Sequence, residues 1–376
     1  MIARKLAWLA VEGSLLWLFV EFGSGPCLAL AAGFILIPVL SIPIHLHIRQ
    51  SIRLELSGNS SLQKDAEGSL TIRFSNPTAF CATVRCRLSV RNLLNGSVQR
   101  LNMECGAPKG TMEMTAALGS SHCGRLCVSV EKLKLYDCFG LIGIPVQCGA
   151  KCHATVQPQG FECCVVLNCL MADAADSDLY SQVRPGWDLT EAFQLRDYVP
   201  GDSTRQIHWK LSGKFDRLIV RDPGLPVARA VLLFWERSGA SAQAERIDAQ
   251  AEALFSIARA LLDQSVQFRL GWNDTAENRC VILEINDWED LIGALPRLLS
   301  AAGSRSGDSG ASMLLQSRPD ALCGRMVYLA DSPAPEVLEW YAHGHVTVLT
   351  CSDAAFDGAI RFDETNYPAQ LSMLEL

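Results

Sequence analysis

The sequence predicts an α+β chain of several domains: an amino-terminal transmembrane helical hairpin, an antiparallel β-sandwich, then an α/β domain. Three observations predict it. Two apolar runs open the chain, at residues 6–22 and 27–44, and each is near the shortest length that crosses about 30 Å of hydrocarbon. Residues 50–160 alternate apolar and polar side chains with a period of two, as half-buried strands do. From residue 228 onward apolar runs alternate with helical patterns, which gives a parallel sheet flanked by helices. The 376 residues suffice for two soluble domains and a membrane segment. The domains read as 1–47 for the hairpin, 48–160 for the sandwich, 161–227 for a linking segment and 228–376 for the α/β domain.

The hydrophobic fraction of 49% is high for a soluble protein, and the excess lies at the start. Glu12, Gly13 and Ser14 interrupt the first run; the second carries no charge. Glu21 to Pro26 forms a turn too short for a domain. Arg4 and Lys5 precede the first run, Arg49 and Arg53 follow the second, and the turn has no basic residue. The positive-inside rule then leaves both ends, and the domains after residue 47, in the cytoplasm of a cell-membrane protein. A cleaved signal peptide fits less well, because no small-x-small site ends the first run and a second follows at once. Glu12 stands out, since a carboxyl in a membrane span is costly; a shifted helix or a protonated, hydrogen-bonded side chain accounts for it.

Within 50–160, residues 51–56 and 69–74 have period two, Asn76-Pro77 ends the second run with a turn, and 83–90 and 126–130 continue the pattern. Short strands at this spacing predict a sandwich. The fifteen cysteines do not read as disulfides: the number is odd, the chain is long and the compartment expected is reducing. Their spacings lack the paired Cys-x-x-Cys of zinc sites, so they read as small hydrophobes. A net charge of −7 argues against a nucleic-acid partner.

The densest chemistry lies in residues 183–226. It contains Val183-Arg184-Pro185-Gly186-Trp187-Asp188, then Glu191 and Arg196-Asp197-Tyr198-Val199-Pro200-Gly201-Asp202, then Arg205-Gln206-Ile207-His208-Trp209-Lys210, and finally Leu218-Ile219-Val220-Arg221-Asp222. Pro200-Gly201 sets a tight turn. Asp202 and Ser203 cap a helix expected over 204–214, with Ile207, Leu211 and Trp209 inward and Arg205, Lys210 and Lys214 outward. A strand over 218–222 closes at Pro223-Gly224. As chemistry, Asp188, Glu191, Asp197, Asp202, Tyr198 and His208 offer acids and bases for a hydrolase-like enzyme. The bases Arg184, Arg196, Arg205, Lys210 and Arg221 match those acids as a polar clasp between domains, and no nucleophile elbow, phosphate loop or His-Glu-x-x-His is present. The clasp is the better reading. Arginine beside aromatics also suits an interaction surface.

The pattern Arg-x-Tyr-x-Pro-Gly-Asp, then Arg-x-Ile-x-Trp-Lys, then a strand ending in Arg-Asp, resembles the signature of the domain of unknown function 58 family. Its positions here are Arg196, Tyr198, Gly201, Asp202, Arg205, His208, Trp209, Lys210 and Arg221. The Asp137-Cys138-Phe139-Gly140-Leu141 turn is similar to the end of that family's β-domain. The resemblance implies that residues 228–376 form a von Willebrand factor A-like domain. Such domains often hold Mg²⁺ through Asp-x-Ser-x-Ser, yet here the position reads Glu236-Arg237-Ser238-Gly239-Ala240, with Ser241 next and Asp331 ending a later strand. The longer Glu236, the missing second serine and Arg237 predict a degenerate site without a metal or other cofactor. Members of the family are typically encoded beside MoxR-type AAA+ ATPases, so the resemblance implies a non-enzymatic, membrane-anchored scaffold for such a partner. The run from Ser304 to Gly310 reads as a flexible loop.

Overall fold

The computed structural model describes residues 2–137, 140–166, 180–226, 231–239, 243–274, 278–301, 303, 309–317, 325–337, 346–351 and 358–375; within 2–3, 180–193 and 224–226 only the backbone is described. The chain divides into two compact units, Met1–Gln157 and Pro158–Leu376.

The first unit begins with helices α1 (Ile2–Phe22) and α2 (Gly25–Ser51). The Gly23 amide closes the first by bonding to the Phe19 carbonyl at 2.9 Å, and the Trp8 and Phe34 rings stack 6.1 Å apart. The expected helix pair is therefore present. Only α2 is long and apolar enough to cross a membrane among the described residues; α1 carries Arg4, Lys5, Glu12 and Glu21 in its 21 residues, which lowers its hydropathy. Glu12 is buried and its carboxyl oxygens have no hydrogen-bond partner among the described residues. Helix α2 also runs past residue 47, because its end is apolar on the side that meets the strands: Ile48 is fully buried in their core.

Strands β1 (Arg53–Gly58), β2 (Ser61–Gln63), β3 (Gly68–Asn76), β4 (Ala82–Asn92), β5 (Val98–Ala107), β6 (Gly110–Leu118), β7 (Gly124–Tyr136), β8 (Gly143–Val146) and β9 (Lys151–Gln157) follow. One sheet has the order β1-β3-β6 and the other β2-β9-β7-β4-β5, with β8 on β7. Alternation places Leu70, Ile72 and Phe74 of the first sheet and Val84, Cys86, Leu88, Leu126 and Val128 of the second in one core, which is the predicted sandwich, antiparallel except where β2 pairs in parallel with β9. Asn76 makes the turn foreseen at Asn76-Pro77: its amide donates to the Phe80 and Ala107 carbonyls at 2.8 and 3.0 Å, and its carbonyl accepts from Thr78. Asn92 plays the same part at the opposite end, and it needs Gly124 beside it. At φ 138°, a Cβ on Gly124 would stand 2.2 Å from Asn92 Oδ1. Asp137 Oδ1 accepts from the Leu141 and Ile142 amides at 2.7 and 2.8 Å, while Phe139 lies outside the described residues.

The second unit contains β10 (Cys164–Val166), β11 (Tyr180–Asp197), α3 (Trp209–Phe215), β12 (Ile219–Pro226), β13 (Val231–Trp235), α4 (Ala244–Asp263), β14 (Phe268–Asp274), β15 (Arg279–Ile285), α5 (Trp288–Leu298), α6 (Gly310–Ser317), β16 (Arg325–Ala330), β17 (Val346–Thr350), β18 (Ile360–Arg361), α7 (Tyr367–Gln370) and β19 (Met373–Glu375). The main sheet has the order β15-β14-β13-β16-β17-β18 and is parallel except for the edge strand β15. This is a doubly wound order that reverses at β13. All five residues of β13 are buried, and helix α4 adds an apolar face and a hydrogen bond from Trp235 Nε1 to Gln250 at 3.0 Å. Strand β10 pairs in parallel with β19, so the segment at 164–166 belongs to this unit as a small separate sheet. Of the loop expected from Ser304 to Gly310, residues 304–308 fall outside the described residues and Gly310 opens α6 instead.

Cysteines of the described residues are free thiols, and several fill the core as small apolar groups. Burial, reinforced by Cys148 and Cys105, pushes the Cys86 thiol up to about 12, and burial does the same to Cys351. Alkylation at mildly basic pH, read by mass spectrometry, is expected to modify exposed Cys81 and Cys164 orders of magnitude faster than Cys86 and Cys351. Denaturant should remove the difference.

Candidate functional site

Two places in the second unit gather polar side chains: the hairpin of β11 and β12, and the carboxyl end of β13. In the hairpin, Gln194 faces Asp222, Leu195 faces Arg221, Arg196 faces Val220 and Asp197 faces Ile219. The pairing continues to Tyr180 and Pro226 through register shifts, so β12 does not close at Pro223-Gly224 as expected; irregular pairing tolerates the missing proline donor. At the hairpin's head the Asp202 amide bonds to the Val199 carbonyl at 3.0 Å around Pro200-Gly201.

The single helix expected over 204–214 is two pieces. A 3-10 turn spans Thr204–Gln206, capped by Ser203, and α3 starts afresh at Trp209. The break comes from Ile207, which is buried and bridges Val220, and from the His208 amide, which bonds to the Ile219 carbonyl at 2.8 Å. Restarting at Trp209 turns that side chain outward, at 66% exposure, rather than inward with Leu211. His208 caps α3, its Nδ1 accepting from the Leu211 amide at 3.3 Å. The Ile219 amide donates to buried Ser212 Oγ at 2.9 Å and ties the helix to β12.

Arg196 is the centre of the hairpin. Its Nη1 and Nη2 donate to Asp202 at 2.7 and 2.9 Å, and its Nε donates to both Asp222 oxygens at 3.1 and 3.2 Å. Gln194 adds a bond to Asp222 at 2.9 Å, and the Val199 amide one to Asp202 at 2.9 Å. The guanidinium, then the Val199 amide, hold the Asp202 carboxyl down at about 2, and Asp202 in turn raises Arg196 above its ordinary range. A planar guanidinium forked between two carboxylates clasps the hairpin to itself, rather than forming the clasp between domains expected of these residues. Arg217 meets Asp197 at 3.1 Å on the surface. Tyr198 contributes its amide to the Leu218 carbonyl at 3.0 Å, Arg205 and Lys210 are exposed, and Arg221 is half-buried. Among the described residues no carboxylate hydrogen-bonds to His208, so Asp197 and Asp202 are not brought onto the histidine. The side chains of Arg184, Asp188 and Glu191 lie outside the described residues.

The second place is where the strand order reverses, the usual ligand position of doubly wound sheets. Glu236 follows β13 there, 1% exposed. Its Oε1 accepts from the Ser238 and Gly310 amides, both at 3.0 Å, and its Oε2 from the Ala311 amide at 3.1 Å and the Tyr328 hydroxyl at 2.9 Å. The carboxylate caps the amino end of α6, where a negative charge is favoured. Four donors fill the lone-pair directions that a carboxylate has. Gly310 is required: a Cβ there would stand 2.9 Å from Glu236 Oε2 and 2.8 Å from Asn273 Cγ. Burial first, then the Glu236 charge, raise the Tyr328 hydroxyl well above its ordinary value. Asn273 bridges the loop, accepting from the Arg237 amide and donating to Ser238 Oγ at 2.5 Å. The Arg237 guanidinium lies 4.4 Å over the Trp235 ring, with Nε donating to the Ala301 carbonyl at 3.3 Å. Asp331 is buried at the end of β16, and its carbonyl accepts from Thr350 Oγ1 at 3.2 Å. Ala240 and Ser241 lie outside the described residues. Sequence reasoning missed Asn273, Tyr328 and Gly310, which stand far from Glu236 in the chain; no local motif marks them.

A cleft of about 400 Å³ opens beside the ends of β17 and β18, lined by Arg246, Cys351, Arg361, Asp363 and Glu364. Arg246 pairs with Glu364 at 2.5 Å, and Asp363 accepts from the Thr365 and Asn366 amides, which lower its carboxyl. Burial holds Cys351 in this cleft as a thiol at neutral pH. No three His, Cys, Asp or Glu side chains come together as metal ligands among the described residues.

No protein-family model and no curated protein matches the chain. Solved structures similar to part of it include the CARDB domain of a Pyrococcus furiosus protein, at 12% identity and a TM-score of 0.21 over 28% of this chain and 86% of that one. The putative ApaA protein of Bordetella pertussis is 14% identical, with a TM-score of 0.23 over 28% of this chain and 93% of that one. A Listeria innocua β-glucosidase is 10% identical, with a TM-score of 0.22 over 28% of this chain and 16% of that one.

Two outcomes test this geometry. Glu236→Ala is expected to lower the unfolding free energy by roughly 3 kcal/mol or more, because several buried donors at about 1–3 kcal/mol each lose their acceptor. Chemical denaturation measures it, and a loss below about 1 kcal/mol would mean that the donors find other partners. At the clasp, the folded Asp202 value lies below the ordinary value of about 3.9. The stabilisation is therefore complete above about pH 4 and disappears as pH falls towards about 2. Amide protection at Val199, followed by hydrogen exchange, should be constant from neutrality to about pH 4 and fall below it.

Proposed function

We propose that the chain is a membrane-anchored, non-enzymatic scaffold of the domain of unknown function 58 type, in which the second unit is a von Willebrand factor A-like domain that engages a protein partner. One observation carries the non-catalytic reading: among the described residues, acids and bases that could have served chemistry are engaged by backbone amides or by Arg196 instead. Glu236 carries four donors, Asp202 and Asp222 sit on Arg196, and His208 caps α3. The strand order with its single antiparallel edge strand, reversing at β13, supports the von Willebrand reading. The saturation of Glu236 supports a degenerate cation position that takes no Mg²⁺. Helix α2 supports the anchor, and Arg4, Lys5, Arg49 and Arg53 support a cytoplasmic side for the two units. The partner proposed is a MoxR-type AAA+ ATPase.

The test is affinity capture with the full chain in detergent, with and without Mg²⁺ and ATP, comparing wild type with Arg196→Ala. Recovery of an AAA+ ATPase that is indifferent to Mg²⁺ and lost in Arg196→Ala is the expected result. Capture that requires Mg²⁺ would restore the cation site, and the absence of any specific partner would sink the scaffold.

A further inference from the structure

The clasp holds one side of the hairpin's helical excursion in place and leaves the other uncovered. On α3, Ser212 is buried and Leu211 half-buried, while Trp209, Lys210, Gly213, Lys214 and Phe215 are exposed. Asp216 then takes a left-handed conformation and ends the helix, and exposed Arg217 and Leu218 follow. Trp209, Phe215 and Leu218 are 66%, 54% and 44% exposed. The Lys214 ammonium stands 5.8 Å from the Phe215 ring centroid. Around it, Asp197 pairs with Arg217, and Asp202 and Asp222 pair with Arg196, which leaves Arg205, Lys210, Lys214 and Arg221 against the acid Asp216, in a chain whose net charge is −7. An aromatic and cationic face thus stands out on an acidic protein.

We propose that this face docks on the headgroups of anionic lipids. The proposal rests on the membrane anchoring advanced above. Three arguments favour lipid over a protein occupant. Bulky apolar side chains interleaved with Lys and Arg are the composition of elements that lie in a membrane interface, whereas Lys is depleted where proteins meet. The excess of positive charge is complementary to an anionic leaflet, which attracts basic segments within a Debye length. Helix α2 keeps a bilayer tethered to the same chain, so a weak contact is populated at high effective concentration. The face is also preformed: the Arg196 fork, the His208 cap and the Ser212 bond to Ile219 order it before it meets a surface.

The experiment places the full chain in nanodiscs of phosphatidylcholine alone or of phosphatidylcholine with phosphatidylglycerol, and follows hydrogen exchange of peptides covering 205–218. Exchange should slow about tenfold in the anionic discs relative to the neutral ones, and the difference should vanish in high salt and in Lys210→Glu/Lys214→Glu. Unchanged exchange of β12 in that variant reports an intact fold. Equal exchange in the two discs, or protection that survives charge reversal, overturns the proposal, as does protection that arises only when a soluble protein is added. A chain that stays outside the discs refutes the anchor instead; the same comparison with added vesicles of the two compositions then decides the face.

Discussion

The second unit depends on one constraint: β13 is buried on both faces and must be covered on both. A strand with no solvent-facing side reads as the unbroken apolar run Val231-Leu232-Leu233-Phe234-Trp235, and such strands sit inside parallel sheets clad by helices. Phe234 and Tyr328 stack across neighbouring strands at 6.0 Å, and Trp235 fixes helix α4 through Gln250. With β13 central, the strand order reverses beside it and its carboxyl end opens between β14 and β16. The polar residues that follow have to be reconciled with deep burial. Glu236 achieves this by capping α6, so a carboxylate that would be costly alone is matched by the donors that a helix start leaves unmatched.

The hairpin of β11 and β12 solves a different problem. Few of its described side chains are buried, and its head is a loop of turn, 3-10 turn and short helix that local propensity would not hold together. Arg196 substitutes for a core there. Its fork fixes Asp202 and Asp222, hence the turn and the pairing of β11 with β12, while Ile207 and Ser212 pin the excursion to β12. The exposed aromatic side chains are carried on this small framework. Because the clasp is partly open to water, its role is to set geometry more than to add stability.

Much of the architecture was legible because it follows from period and punctuation. Alternation located the sandwich strands, and Asn76-Pro77 marked a turn that Asn76 does build. The clasp was legible in part, since Arg196 and Asp202 lie six residues apart across Pro200-Gly201. Two of the errors share one cause. The helix expected from 204 breaks at Ile207 because a contact with Val220, thirteen residues on, outweighs local helical preference, and the outward turn of Trp209 follows from that break.

By itself the sequence determined the apolar amino-terminal helix, the period-two domain, the strand and helix alternation after it and the crowding of arginine against aspartate in the segment between. These depend on residues close together in the chain, where spacing alone decides which side chains share a face. Tertiary structure alone decided the environment of Glu236. Its donors come from Ser238, Gly310, Ala311 and Tyr328, and up to 92 residues separate donor from acceptor. Whether a glutamate at a strand end binds a cation or caps a helix turns on which distant backbone is folded against it, and no local pattern encodes that.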